Sequence, residues 1–169
     1  MAHLWLIGMM GSGKTVVGRR IAELTGRRFV DTDVRVVSET GRSISAMFEA
    51  DGVASFREAE AAVLSSLAGE GDAVVATGGG VVLNDANSKL MRATGTVVYL
   101  AASPATLARR IGDEPGRPLL ATADRLAVLT EILAARGELY DRACHEVIET
   151  DDLTPDQVAG EAIVRWNKS

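Results

Sequence analysis

The stretch GMMGSGKT, Gly8 to Thr15, has the spacing G-x-x-x-x-G-K-[ST]. It follows an apolar run with a strand pattern and opens a stretch with a helix pattern. In that setting the spacing reads as a phosphate-binding loop for a nucleoside triphosphate. Gly11 and Gly13 let the backbone curl so that its N–H groups face phosphates. The helix N-terminus adds partial positive charge there. Lys14 is placed to reach the β- and γ-phosphates, and Thr15 to offer its hydroxyl to Mg2+. A GTPase would also need a guanine-reading NKxD, but the only Asn-Lys pair, Asn167-Lys168, is followed by Ser169. DEPG from Asp113 fits DxxG in form, yet it follows a helical stretch instead of a strand.

Further along, Phe29 to Asp33 reads FVDTD. An acidic residue at a strand end beside a phosphate loop commonly serves magnesium, mostly through water. Residues two apart at a strand end point the same way, so Asp31 and Asp33 are expected to share one pocket, one facing the metal and one a hydroxyl. Helix capping is the other reading of Asp33. Phe56 to Glu60 reads FREAE, which puts Arg57 and Glu60 on one helix face; alone, this is a surface ion pair of small worth. Arg136 lies four before Tyr140 in a late helical stretch and, by spacing, is a solvated helix charge. VVATGGGVVL, Val74 to Leu83, interrupts an apolar run with three glycines, which is costly unless a backbone or ligand comes close. Pro115 to Leu120, PGRPLL, forbids a helix. The segment from Gly112 to Ala123 is long for a plain connection, so a lid carrying Arg117 is expected.

These residues need a frame that gathers them. Strand-like runs occur at Leu4 to Ile7, Phe29-Val30, Ala73 to Ala76, Thr96 to Leu100 and His145 to Ile148. Helical stretches run over Thr15 to Thr25, Ala54 to Ala68 and about Asp124 to Ala143. Ser103-Pro104 and Thr154-Pro155 carry the signature of a capping hydroxyl followed by proline in the first turn. Near-continuously apolar strands alternating with helices predict a three-layer α/β domain on a parallel sheet of about five strands. Ligands of such sheets bind at the carboxyl ends of the strands, where Gly8, Asp31 and Gly78 are all expected.

The 169 residues fit one domain. The net charge of −5 and pI near 5.1 argue against nonspecific nucleic-acid binding. A single Cys144 leaves no intramolecular disulfide or cysteine cluster, and His3 and His145 are read as structural or exposed. No apolar run is long enough for a transmembrane helix. The opening MAHLWLIGMM lacks a basic leader and runs straight into the phosphate loop, so it is read as a buried strand of a cytoplasmic protein.

In order and spacing over essentially the whole chain, GMMGSGKT, DTD at Asp31 to Asp33, FREAE, the three glycines, GRPLL and R-x-x-x-Y at Arg136 to Tyr140 resemble the shikimate kinases. GRSI at Gly41 to Ile44 and the apolar Phe48 also fit. The resemblance implies the nucleoside monophosphate kinase fold in a single kinase domain, 1–169, with an acceptor-binding helical segment at about 33–61 and a lid at about 112–123. It implies ATP-dependent phosphorylation of shikimate on its 3-hydroxyl, in aromatic amino-acid biosynthesis. By the same resemblance Lys14, Asp33 and Arg117 are catalytic, with Asp33 holding the acceptor hydroxyls. ATP is bound by Gly11, Ser12, Gly13, Lys14, Thr15, Val16, Arg110, Arg117 and Leu153. Arg57 and Arg136 take the shikimate carboxylate. Gly78, Gly79 and Gly80 form the acceptor loop, where a side chain on Gly79 would fill the space the ring needs. Thr15 and Asp31 serve Mg2+. Val53, Glu138 and Leu153 depart from the family pattern. A gluconate or nucleotide kinase of the same fold, or an ATP-binding module without turnover, are the alternatives, and a monomer is the default.

Overall fold

The computed structural model describes residues 3–112 and 124–168. Five strands, β1 (His3–Ile7), β2 (Arg28–Asp31), β3 (Ala73–Ala76), β4 (Gly95–Ala101) and β5 (Glu146–Glu149), form one sheet in the order β2-β3-β1-β4-β5. Every pairing is parallel, with Leu4 beside Val74 and Thr96, Asp31 beside Ala76, and Ala101 beside Glu149. Parallel pairing requires crossovers, and among the described residues six helices supply them: α1 (Lys14–Thr25), α2 (Thr32–Thr40), α3 (Ile44–Ala68), α4 (Asp85–Thr94), α5 (Pro104–Ile111) and α6 (Arg125–Ala143); α7 (Pro155–Trp166) follows β5. The α/β reading with a five-stranded parallel sheet therefore holds. The strand bounds shift by a residue or two, and α4 is a helix that the sequence pattern does not mark.

Side chains alternate across the central strands and create two cores. Trp5 and Ile7, Val75, and Val97 and Tyr99 face Phe56, Leu64, Met91, Leu107 and Leu129 on the side of α2 to α6. Leu4 and Leu6, Val74, and Val98 and Leu100 face Val17, Ile21, Val158 and Ala162 of α1 and α7. Leu4 to Ile7 are fully buried because β1 lies at the centre of the sheet with both faces covered. Each such side chain contributes roughly 1.5–3 kcal/mol of burial. The two histidines are structural: Nδ1 of His3 accepts from Ala73 N–H at 3.2 Å, and Nδ1 of His145 from Val97 N–H at 3.0 Å.

Local chemistry sets the helix ends. Ser103 and Thr154 cap α5 and α7 through side-chain oxygens, each followed by proline, and Asp124 caps α6. Gly52, at φ 77° and ψ −179°, breaks α3 in its N-terminal half, a conformation that suits glycine alone. Because all strands run parallel, Gly8, Asp31, Thr77, Ala102 and Thr150 emerge on one edge of the sheet.

Candidate active site

The phosphate loop leaves β1 and turns through Gly8, Gly11 and Gly13, all at positive φ (145°, 79° and 94°). Gly13 caps α1 with no side-chain hydrogen bond, whereas Asp31, Ser43, Asn84, Ser103, Asp124 and Thr154 each cap their helix with one. The first N–H groups of α1 are thus left to an anion. Lys14 is 9 % exposed and donates to the carbonyls of Gly8 and Met9, each at 2.8 Å, so its charge sits inside the curl of the loop. Ser12 is buried, and its Oγ has no hydrogen-bond partner among the described residues. A Cβ on Gly11 would lie 2.7 Å from Ile111 Cγ1, which shows how closely the loop rests on α5. Val16 is exposed on the first turn of α1.

The hydroxyl of Thr15 donates to Asp31 Oδ2 at 2.9 Å. Asp31 Oδ1 accepts from the N–H groups of Asp33 and Val34 and so caps α2. The capping role considered for Asp33 belongs to Asp31. Asp33 lies in the first turn of a helix, so strand alternation does not aim its side chain; the helical turn does. Two hard oxygen donors side by side at the phosphate loop fit Mg2+, which takes one or two protein oxygens together with phosphates and water. No cluster of three or more acidic, cysteine or histidine side chains able to hold a metal occurs among the described residues.

β3 adjoins β1, so its glycine loop lies against the phosphate loop. Thr77 N–H and Oγ1 both donate to Leu6 O, at 3.1 and 3.0 Å, and Gly78 N–H donates to Thr32 Oγ1 at 3.1 Å. A Cβ on Gly78 would lie 2.8 Å from Glu60 Oε1 and 2.9 Å from Asp33 Oδ1, so both carboxylates crowd one point. A Cβ on Gly80 would lie 2.6 Å from Cζ of Arg57. On Gly79 it would meet Met10 N at 3.4 Å, on the side of the phosphate loop. Two of the three glycines therefore admit protein side chains, and the third admits a neighbouring backbone.

Arg57 donates from Nη1 to Glu60 Oε2 at 2.7 Å, and Glu60 is 1 % exposed. The surface-pair reading is thus wrong. Glu60 recurs at helical spacing with Phe56, Val63, Leu64 and Leu67, all buried, and that periodicity was the available signal. Burial holds its carboxyl above the usual range, opposed by Arg57; Asp33 adds to the rise and Arg136 works against it. Arg136 is half-buried, not the solvated helix charge its spacing suggested. It interacts with the hydroxyl of Tyr140, one turn later in α6. Tyr140 is fully buried and donates that hydroxyl to Gly79 O. Asp33, Arg57, Glu60, Gly78 to Gly80 and Arg136 thus gather from four elements.

On the other flank, Arg110 of α5 donates to Thr150 Oγ1 at 2.9 Å and Thr150 O at 2.6 Å. Leu153 follows in a turn closed by its own N–H on Thr150 O, half-buried beside the α1–α7 core. Both border the phosphate loop side of the sheet edge. Arg117, with the segments DEPG and PGRPLL and all of the expected lid beyond Gly112, lies outside the described residues.

A family model described as shikimate kinase matches residues 10–166. The chain belongs to the shikimate kinase family. The shikimate kinase of Dechloromonas aromatica is 39 % identical over 98 % of this chain and 91 % of its own length. That of Pelotomaculum thermopropionicum is 39 % identical over 99 % and 96 %. Shikimate kinase from Acinetobacter baumannii, solved in complex with shikimate, superposes with a TM-score of 0.93 at 35 % identity, over 99 % of this chain and 95 % of that one. Shikimate kinases are ATP- and Mg2+-dependent, in keeping with the loop and the Thr15–Asp31 pair. Of the departures from the shikimate kinase pattern, Val53 is 55 % exposed beside the Gly52 break. Glu138 is exposed and pairs with Arg142 at 3.4 Å.

Proposed function

We propose that this chain transfers the γ-phosphoryl group of ATP to the 3-hydroxyl of shikimate, releasing ADP. One observation carries the reading: two carboxylates and two arginines surround a glycine loop whose backbone touches the phosphate loop. That arrangement suits a small acceptor bearing both hydroxyls and a carboxylate. In this reading Arg57 and Arg136 take the carboxylate through paired N–H bonds, and Gly79 N–H adds a donor. Asp33 accepts from the acceptor hydroxyls and orients the 3-hydroxyl. Ser12, Val16, Arg110 and Leu153 frame the nucleotide, with Leu153 as an apolar bed for the base.

Phosphoryl transfer proceeds through a loose transition state, so catalysis rests on positioning and charge neutralisation. Lys14 brings a fixed cation to the transferring group, and Arg117 is assigned a second. Mg2+, when held by Thr15 and through water by Asp31, neutralises phosphate charge. Asp33 takes the proton late, once bond making to the transferring group is advanced.

The enzyme is further proposed to act as a cytoplasmic monomer; among the described residues no helix is long and apolar enough to cross a membrane. Sedimentation of the purified chain tests the monomer. The activity is tested by coupled ADP release with shikimate, gluconate and nucleoside monophosphates. Turnover with shikimate alone is the expected outcome. Turnover with another acceptor instead, or with none, overturns it.

A further inference from the structure

The peptide between Gly79 and Gly80 is held from three directions. Gly79 Cα faces the phosphate loop, where a Cβ would stand 3.4 Å from Met10 N and 3.6 Å from Gly8 O. Gly79 O receives the Tyr140 hydroxyl from α6. Gly80 Cα lies under the Arg57 guanidinium, with Cζ and Nη1 at 2.6 and 2.7 Å from where a Cβ would be. Arg136 interacts with the same Tyr140 hydroxyl. One oxygen atom thus joins the element carrying Arg136 to the peptide on which Arg57 is seated.

We propose that Tyr140 is a positioning residue, which fixes the Gly79–Gly80 peptide plane and through it the spacing of the Arg57 and Arg136 guanidinium groups. The inference rests on reading these arginines as the clamp for the acceptor carboxylate. A trans peptide is planar, so fixing the carbonyl toward α6 fixes the Gly80 N–H away from it. The ring of Tyr140 stacks on Tyr99 with centroids 4.9 Å apart and planes 23° from parallel, and it cannot swing away. Burial raises the Tyr140 hydroxyl to about 12, so it stays a donor throughout the working pH range. Without it, the part-buried Gly79 carbonyl loses its hydroxyl donor and is free to turn toward a new partner. The two arginines then lose their common reference.

Tyr140→Phe keeps the ring and its stacking and removes only the hydroxyl. The expected result is a rise of about tenfold in the KM for shikimate, with the KM for ATP within about twofold. The preference for shikimate over its neutral methyl ester should shrink in the same variant. Tyr99→Phe, which alters the stacked neighbour and not the Gly79 contact, should leave both KM values unchanged. In the Arg136→Ala background, Tyr140→Phe should add little, because both act on one clamp. A lowered Tm with no shikimate-specific rise in KM would assign the hydroxyl to packing and overturn the inference, as would fully multiplicative losses. Arg57→Ala and Arg136→Ala separate the two readings. If neither affects shikimate, the clamp itself is misassigned. If they do and Tyr140→Phe does not, only the role of Tyr140 falls.

Discussion

Glu60 and Arg57 meet at 2.7 Å, and the carboxylate is 1 % exposed while the guanidinium side chain is 25 % exposed. The anion is anchored in the core, and the cation is presented from it. Glu60→Gln is expected to raise the KM for shikimate roughly 10- to 100-fold, from loss of a charged hydrogen bond, with little change in the KM for ATP. Because burial raises the Glu60 carboxyl above 4.5, the fold favours its protonated form. Its contribution to stability is fully present below pH 4.5 and is lost as pH rises through the raised value. Binding runs the other way: protonation removes the ionic partner that aims Arg57. The KM for shikimate should therefore climb as pH falls toward 4.5, and Glu60→Gln should flatten that profile. Steady-state kinetics against pH checks both.

Asp31 serves two masters, Thr15 through Oδ2 and the N-terminus of α2 through Oδ1. Asn keeps the cap and loses the charge; Ala loses both. Asp31→Asn should raise the Mg2+ concentration needed for half-maximal rate while leaving Tm near that of the parent. Asp31→Ala should do the same and also cost about 1 kcal/mol of stability. Magnesium titration and thermal unfolding of the two variants separate the roles.

The glycine loop predicts an order among substitutions. Gly80→Ala drives a methyl group into the Arg57 guanidinium, so shikimate binding should suffer strongly and ATP binding little. Gly79→Ala only presses on the phosphate loop at 3.4 Å, so its effect should be smaller and shared between the two ligands. Calorimetry with each ligand separately measures the split. A larger shikimate-specific loss at Gly79 than at Gly80 would contradict this geometry.

Burial lowers the imidazoles of His3 and His145 below their ordinary 6.5. The folded state therefore prefers them neutral, as acceptors of the Ala73 and Val97 N–H groups. Their contribution is complete above pH 6.5 and is lost as pH falls through the depressed values. Stability should decline on acidification from pH 7 toward 5. His3→Asn, which can still accept from Ala73, should reduce that decline in denaturant unfolding followed across the range.

The phosphate loop, the parallel sheet and the caps at Ser103 and Thr154 could be read from the chain because each depends on neighbours within a few residues. Gly8 to Thr15 carries its strand and helix beside it. Asp33 and Glu60 were harder. The direction of Asp33 depends on β2 ending at Asp31, one residue before a helix that local pattern did not mark. Glu60 shows its burial only when the apolar spacing of α3 is followed across the charged FREAE segment. Arg136 and Tyr140 show only their four-residue spacing locally; the Glu60 and Gly79 groups they face sit on α3 and after β3. The helix α4, with Lys, Arg, Asn and Ser in its ten residues, offers a weak apolar stripe, Met91 and Leu90 being its main contacts with the core.

The order β2-β3-β1-β4-β5 makes the phosphate loop and the glycine loop continuations of adjacent, hydrogen-bonded strands. Their separation is therefore set by the strand spacing of about 4.8 Å, a constant of the polypeptide backbone. Side chains do not enter into it. On the reading proposed above, the side chains that select the acceptor are carried by α2, α3 and α6, which can diverge without altering that interval. A lineage built on this sheet can exchange one alcohol for another by resurfacing those helices, and the reach of the phosphoryl group is inherited intact.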